Sequence, residues 1–244
     1  MREERIGDCR LILGDCLEVL PDLKVAHVIT DPPFSEQTHS LHDSTTVRLR
    51  GRRALGYSAL TPDDVGVFGA LIAEASMGWV CWFTDANLAP EVRDSMKAAG
   101  RTVFAPLPFF HPGRSCRLSG DGPSSWTDWI VVSRTKALHK WGTLPGGYVA
   151  GPGWNDKGRM GGKPLQLMKA VVMDYSRFGD LVCDPFMGAG TTLVACAKLG
   201  RKGIGIEIDP VCFDIACRRV EEAYRQPDMF VEPPKPAEQL DMLK

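Results

Sequence analysis

The stretch "LVCDPFMGAGTTLVACAKLG", residues 181–200, decides the fold. A short apolar run ends at Asp184, two glycines follow within a few residues, and a second apolar run closes at Gly200. This predicts a strand, a tight turn and a helix. Gly188 and Gly190 can take positive φ and let a ligand approach the backbone. The helix N-terminus behind them offers free N–H groups and a positive dipole end.

Three nucleotide readings compete for such a turn. A phosphate-cradling loop needs Lys before its Ser/Thr, and Ala189-Gly190-Thr191 has none. A dinucleotide fingerprint needs a third glycine where Leu193 stands. The third reading is S-adenosylmethionine, whose methionine and ribose need close backbone approach but no pyrophosphate cradle. The next apolar run, "GIGIEI", carries Glu207 about 20 residues after the glycines, where an acid can bond ribose hydroxyls.

Working outward, short apolar runs at 10–13, 25–30, 79–84, 103–110 and 128–133 read as strands, the last two as an antiparallel pair at one edge. Helices are expected over 62–77, 89–100, 164–176 and 211–225, with a helical turn at 16–22. Alternating strands and helices predict an α/β, Rossmann-like, doubly wound and mostly parallel sheet. The Gly/Pro-rich stretches 35–61 and 134–162 read as surface loops. Residues 1–225 are expected to form one domain, with 226–244 a Pro-rich tail.

The 244 residues carry a net charge of −1, which excludes a bulk polycation but leaves room for a local basic patch. There is no signal-peptide core and no membrane span, so a cytoplasmic protein is expected. Eight cysteines show no CxxC pair and no zinc spacing. They read as small buried residues. His39, His42 and His111 have no metal-ligand spacing, and no metal is expected.

"DPPF", residues 31–34, ends another apolar run. Pro32 and Pro33 fix φ and stiffen the carbonyls before them. Asp31 adds a carboxylate and Phe34 a flat face. Together they could stack a planar ring and accept two hydrogen bonds from an exocyclic amino group.

"DPPF" followed much later by "DPFMGAGTT" (184–192) resembles the amino-DNA methyltransferases, which modify adenine N6 or cytosine N4. Its order, tetrapeptide before glycine turn, resembles their circularly permuted beta group. "LILGDCLEVL", "GKPLQLMKAVV" and "GIEIDPVCFDIACRRV" resemble further family segments. The resemblance implies the class I S-adenosylmethionine-dependent methyltransferase fold. It implies catalysis by Asp31, Pro32, Pro33 and Phe34. Cofactor contacts fall on Asp15 and Cys16 after the first strand, on Asp31, and on Lys163 and Pro164 before the helix at 165. In the turn they fall on Asp184, Pro185, Phe186, Gly188, Gly190, Thr191 and Thr192, and beyond it on Glu207 and Ile208. Asp184 is expected to shape the turn rather than perform chemistry. The family often has a His-Pro-Thr-type segment before its Lys-Pro, whereas this chain reads "GRMGGKP".

The implied partner is double-stranded DNA. Arg48, Arg50, Arg52 and Arg53, and Arg114 and Arg117, read as phosphate contacts. Arg134, Lys136, Lys140, Lys157 and Arg159 add charge near Trp141, Tyr148 and Trp154, which either stack bases or pack the loop down. An acid at the first tetrapeptide position leans toward adenine. Cytosine N4, an RNA substrate and an inactive cofactor- or DNA-binding module are the other readings. The lack of a Pro-Cys pair argues against cytosine C5 chemistry. Relatives of this kind are often homodimers. Compact members are often phage-borne or solitary, and a restriction partner cannot be read from the chain.

Overall fold

The computed structural model describes residues 1–36, 38, 59–113, 122–151, 154 and 162–226. Among them run ten strands: β1 Arg2–Ile6, β2 Cys9–Leu13, β3 His27–Thr30, β4 Trp79–Thr84, β5 Thr102–Val103, β6 Leu107–Phe110, β7 Thr127–Arg134, β8 Tyr148–Val149, β9 Leu181–Asp184 and β10 Lys202–Glu207. The helices are α1 Cys16–Val19, α2 Pro62–Ala75, α3 Ala89–Ala98, α4 Leu165–Tyr175, α5 Thr191–Lys198 and α6 Pro210–Arg225. All ten strands lie in one sheet of order β1-β2-β10-β9-β3-β4-β7-β6-β8, with β5 paired to β7. The five strands from β2 to β4 are parallel, while β7 is antiparallel to β4 and β6 to β7, as expected at that edge.

Both faces of the sheet are covered, and β4 shows how. Val80 and Trp82 enter one core with Val65 and Ile72 of α2; Trp79, Cys81 and Phe83 enter another with Leu167 of α4 and Ala195 of α5. A strand buried on both faces reads as a continuous apolar run, which is why "WVCWFT" was visible in the sequence. Helix α2 starts where Thr61 and Asp64 cap it reciprocally behind Pro62, and α6 where Asp209 accepts from Val211 and Cys212.

Three expectations need correction. β1 was not foreseen, because "REERI" is a charged edge strand with only one apolar residue. The single strand expected over 103–110 is two. Five residues from Val103 to Leu107 answer four from Ser133 to Ile130, the mark of a bulge, and Pro106, which has no N–H to give, lies inside it. The stretch 134–162 is not merely a surface loop. β8 extends the sheet beside β6, Trp141 Nε1 donates to the Asp174 carbonyl, Tyr148 Oη bonds Asp174, and Trp154 stacks on Phe109. These aromatics pack the segment down.

The topology opens a crevice. The chain leaves β9 through α5 toward β10 and leaves β3 through α2 toward β4, on opposite faces. The carboxyl ends of the adjacent strands β9 and β3 are therefore a switch point, where ligands of open α/β sheets bind. No described helix is long and apolar enough to cross a membrane.

Candidate active site

Five parallel strands end in an acid at this edge: Asp15 after β2, Asp31 after β3, Asp85 after β4, Asp184 in β9 and Glu207 in β10. The glycine turn is organised by Asp184. Its carboxylate accepts from Thr30 Oγ1 at 2.8 Å, Thr192 Oγ1 at 2.6 Å and the Phe186 N–H at 3.1 Å. Burial pushes its pKa up to about 6 against the pull of the two threonines. Asp184 and Thr192 thus face inward and shape the turn, while the Thr30 bond stitches it to β3.

Gly188 and Gly190 take φ of 54° and 78°, as the sequence required. They differ in surroundings. A Cβ at Gly190 would stand 2.9 Å from that of Ala216 in α6, whereas a Cβ at Gly188 would meet nothing within 4 Å. Gly190 is glycine for packing, and Gly188 faces open space that a ligand can enter. Arg219 of α6 holds the turn from behind, donating to the Ala189 carbonyl at 2.6 Å. Glu207 accepts from the Gly188 N–H at 2.7 Å and the Asp209 N–H at 2.8 Å; burial raises its pKa and these N–H groups oppose the rise. Asp15 caps α1 through the Leu17 N–H, and the backbone of β2 joins that of β10 through Gly14 N–H to the Glu207 carbonyl. The Cys16 thiol is buried and pushed up to about 12, so it is inert. Ile208 is exposed beside Glu207, and Phe186 rests edge-on against Phe68.

The tetrapeptide is held from several directions. Beyond it, Ser35 donates through both N–H and hydroxyl to Asp85, which also accepts from Thr38 Oγ1, the Asn87 N–H and the Leu88 N–H. Burial raises the Asp85 pKa, but these bonds outweigh it and the net shift is downward. The Phe34 carbonyl accepts from the Leu60 N–H at 3.2 Å. Pro164 stands at the N-cap of α4. The Lys163 ammonium before it reaches Asp31 Oδ1 at 2.6 Å, lies 4.6 Å from the centre of the Phe34 ring, and stands 3.5 Å from Asp128 Oδ2. Lys163 was expected at the cofactor; the structure places its ammonium beside the tetrapeptide and Asp128.

Asp85, Asp128 and Arg219 escaped the sequence reading. Asp85 obeys the strand-end rule that revealed the other acids. Asp128 does not, because it opens β7, which runs antiparallel and so brings its first residues to this edge. Arg134 ends β7 opposite Trp79, at the far edge of the sheet, with its guanidinium over Phe104. Trp141 also sits at that far edge, in edge contact with Trp79 and His27. Arg48, Arg50, Arg52, Arg53, Arg114, Arg117, Lys157 and Arg159 lie outside the described residues, as do His39, His42 and the tail from 227. Among the described residues no three metal-ligating side chains come together.

Residues 152–218 match the family model described as DNA methylase. Its relatives are DNA methyltransferases. Type II methyltransferase M.MthZI of Methanothermobacter thermautotrophicus is 38% identical over 100 residues, which is 41% of this chain and 24% of that protein. Type II methyltransferase M.HinfI of Haemophilus influenzae is 37% identical over 79 residues, 30% of this chain and 22% of that protein. The chain therefore spans about a quarter of the length of these curated relatives. The likeness in fold is broader. The M1.HpyAVI–SAM complex covers 87% of this chain and 98% of its own at a TM-score of 0.65 and 22% identity. PvuII DNA methyltransferase (cytosine-N4-specific) covers 90% and 92% at a TM-score of 0.66 and 14% identity. The fold is that of the class I S-adenosylmethionine-dependent methyltransferases.

Proposed function

We propose that this chain transfers a methyl group from S-adenosylmethionine to an exocyclic amino group of a base in double-stranded DNA, adenine N6 in the first place. The observation that carries the reading is the Thr30–Asp184 hydrogen bond. It makes the tetrapeptide and the glycine turn adjacent lips of one crevice. Matches to DNA methylases and to a fold crystallised with this cofactor support the same reading. The tetrapeptide-first order supports a place in the permuted beta group.

The residues present fit the cofactor. The open side of Gly188 admits close backbone approach, and Glu207 and Asp15 offer carboxylates at the neighbouring strand ends. Held there, the cofactor would supply an electrophilic methyl group, which the amino nitrogen of the base would take through its lone pair as the C–S pair stayed with sulfur and one amino proton left to water.

The chain's own part is positioning and electrostatics. Phe34 stacks the everted base. Asp31 and the Pro32 carbonyl accept from the amino group, drawing the nitrogen lone pair out of ring conjugation. Asp31 also stabilises the positive charge that nitrogen acquires. Arg48, Arg50, Arg52, Arg53, Arg114 and Arg117 pair with phosphates.

Cytosine N4 is the second reading, favoured by the full-length likeness to a cytosine-N4 enzyme. The experiment is incubation with labelled cofactor and unmethylated genomic DNA, then mass analysis of nucleosides. N6-methyladenine is expected. N4-methylcytosine would select the second reading, and no transfer would sink both.

A further inference from the structure

Beside the tetrapeptide, one cation sits between two anions. The Lys163 ammonium lies 2.6 Å from Asp31 Oδ1 and 3.5 Å from Asp128 Oδ2, and the Lys163 and Asp128 side chains are only 9% and 3% exposed. Two aromatic rings, Phe34 and Phe83, lie within 4.6 and 5.4 Å of the same ammonium. Its surroundings are therefore poor in water, and its electrostatic effects are felt strongly.

Asp31 and Lys163 alone would cancel. A cancelled carboxylate is a weak acceptor for an amino nitrogen that gains positive charge as its bond to carbon forms. An ammonium fixed beside that nitrogen opposes the reaction directly. Asp128 brings a second carboxylate to within 3.5 Å of the same ammonium and so offers it a second seat. Its place follows from topology, since β7 runs antiparallel to β4 with Trp129 opposite Thr84. A purely stabilising role explains the arrangement less well, because desolvating a buried ion pair offsets most of its attraction.

We propose that Asp128 is a positioning residue for methyl transfer, holding the Lys163 ammonium when the target amino group takes its place on Asp31. The inference rests on the amino-methyltransferase reading. Asp128 touches neither base nor cofactor in this scheme; it acts through Lys163.

The test compares wild type, Asp128→Asn, Asp128→Glu, Lys163→Met and the Asp128→Asn/Lys163→Met double variant. Each is measured for cofactor Kd by calorimetry, and for kcat and KM on unmethylated genomic DNA. Asp128→Asn is expected to lose roughly 10–100-fold in kcat with cofactor Kd within about twofold, and Asp128→Glu to recover most of the loss. The double variant should be no slower than Lys163→Met, because in this scheme Asp128 acts only through Lys163. Equal kcat in wild type and Asp128→Asn, or losses that multiply in the double variant, overturns the inference while methyl transfer stands. Should Asp128→Asn fail to bind cofactor, Asp128→Ser is put through the same comparison. Absence of methyl transfer by the wild type overturns the underlying reading, and the inference with it.

Discussion

The two lips of the crevice are built differently. The glycine lip is nearly one continuous stretch, β9, its turn, α5 and β10, closed by bonds among Asp184, Thr192, Gly188 and Glu207. The tetrapeptide lip is gathered from distant parts of the chain: residues 31–35, Asp85, Asp128 and Lys163. Its geometry depends on charges meeting across the sheet. A local lip can be stiff before any ligand arrives. A gathered lip can respond to what enters it, because each of its members is carried by a different element.

Substitutions can break or sharpen this contrast. The largest effect is expected from Asp31→Ala, a loss of at least about a thousandfold in kcat with cofactor affinity nearly unchanged, read by kinetics and calorimetry. Loss of cofactor binding as well would mean the lips are not separable.

Next comes the pH dependence of the glycine lip. Burial pushes the Asp184 carboxyl up to about 6 in the fold, against an ordinary value of 3.8 in the unfolded chain. The folded state thus holds its proton to higher pH than the unfolded chain, so this contribution is greatest below about pH 4 and is lost as pH rises to 6. The loss is roughly 3 kcal/mol at about 1.4 kcal/mol per unit. Asp184→Asn should flatten the wild-type decline between pH 4 and 6 in urea unfolding; an unchanged slope would exclude Asp184 as its source.

Gly190→Ala combines a positive φ with a contact of 2.9 Å to Ala216 and should cost about 2 kcal/mol or more. Gly188→Ala, with no atom within 4 Å, should pay only the φ strain yet weaken cofactor binding. Thermal melts and calorimetry separate the two. The smallest effect is expected from Asp85→Asn, on the order of tenfold in kcat through a loosened Ser35, with cofactor Kd unchanged.

The same contrast explains what the sequence revealed. The glycine turn, the strand-end acids and the buried parallel strands were legible because local pattern and function coincide there. Asp128 was not, since its importance arises only from the reversal of β7. Lys163 was visible as part of Lys-Pro, but its partner was not, because 132 residues separate it from Asp31. Trp141 and Trp154 looked like base-stacking candidates in a polar stretch; only their contacts with Trp79 and Phe109 reveal packing. β1 hid behind its charges.

The Thr30–Asp184 stitch has an evolutionary corollary. Arg2 reaches Asp214, and Tyr224 reaches the Asp8 amide, so the first hairpin and the final described helix lie side by side. A gene spliced at that seam and reopened between the two halves would encode the same crevice with its halves translated in reverse order.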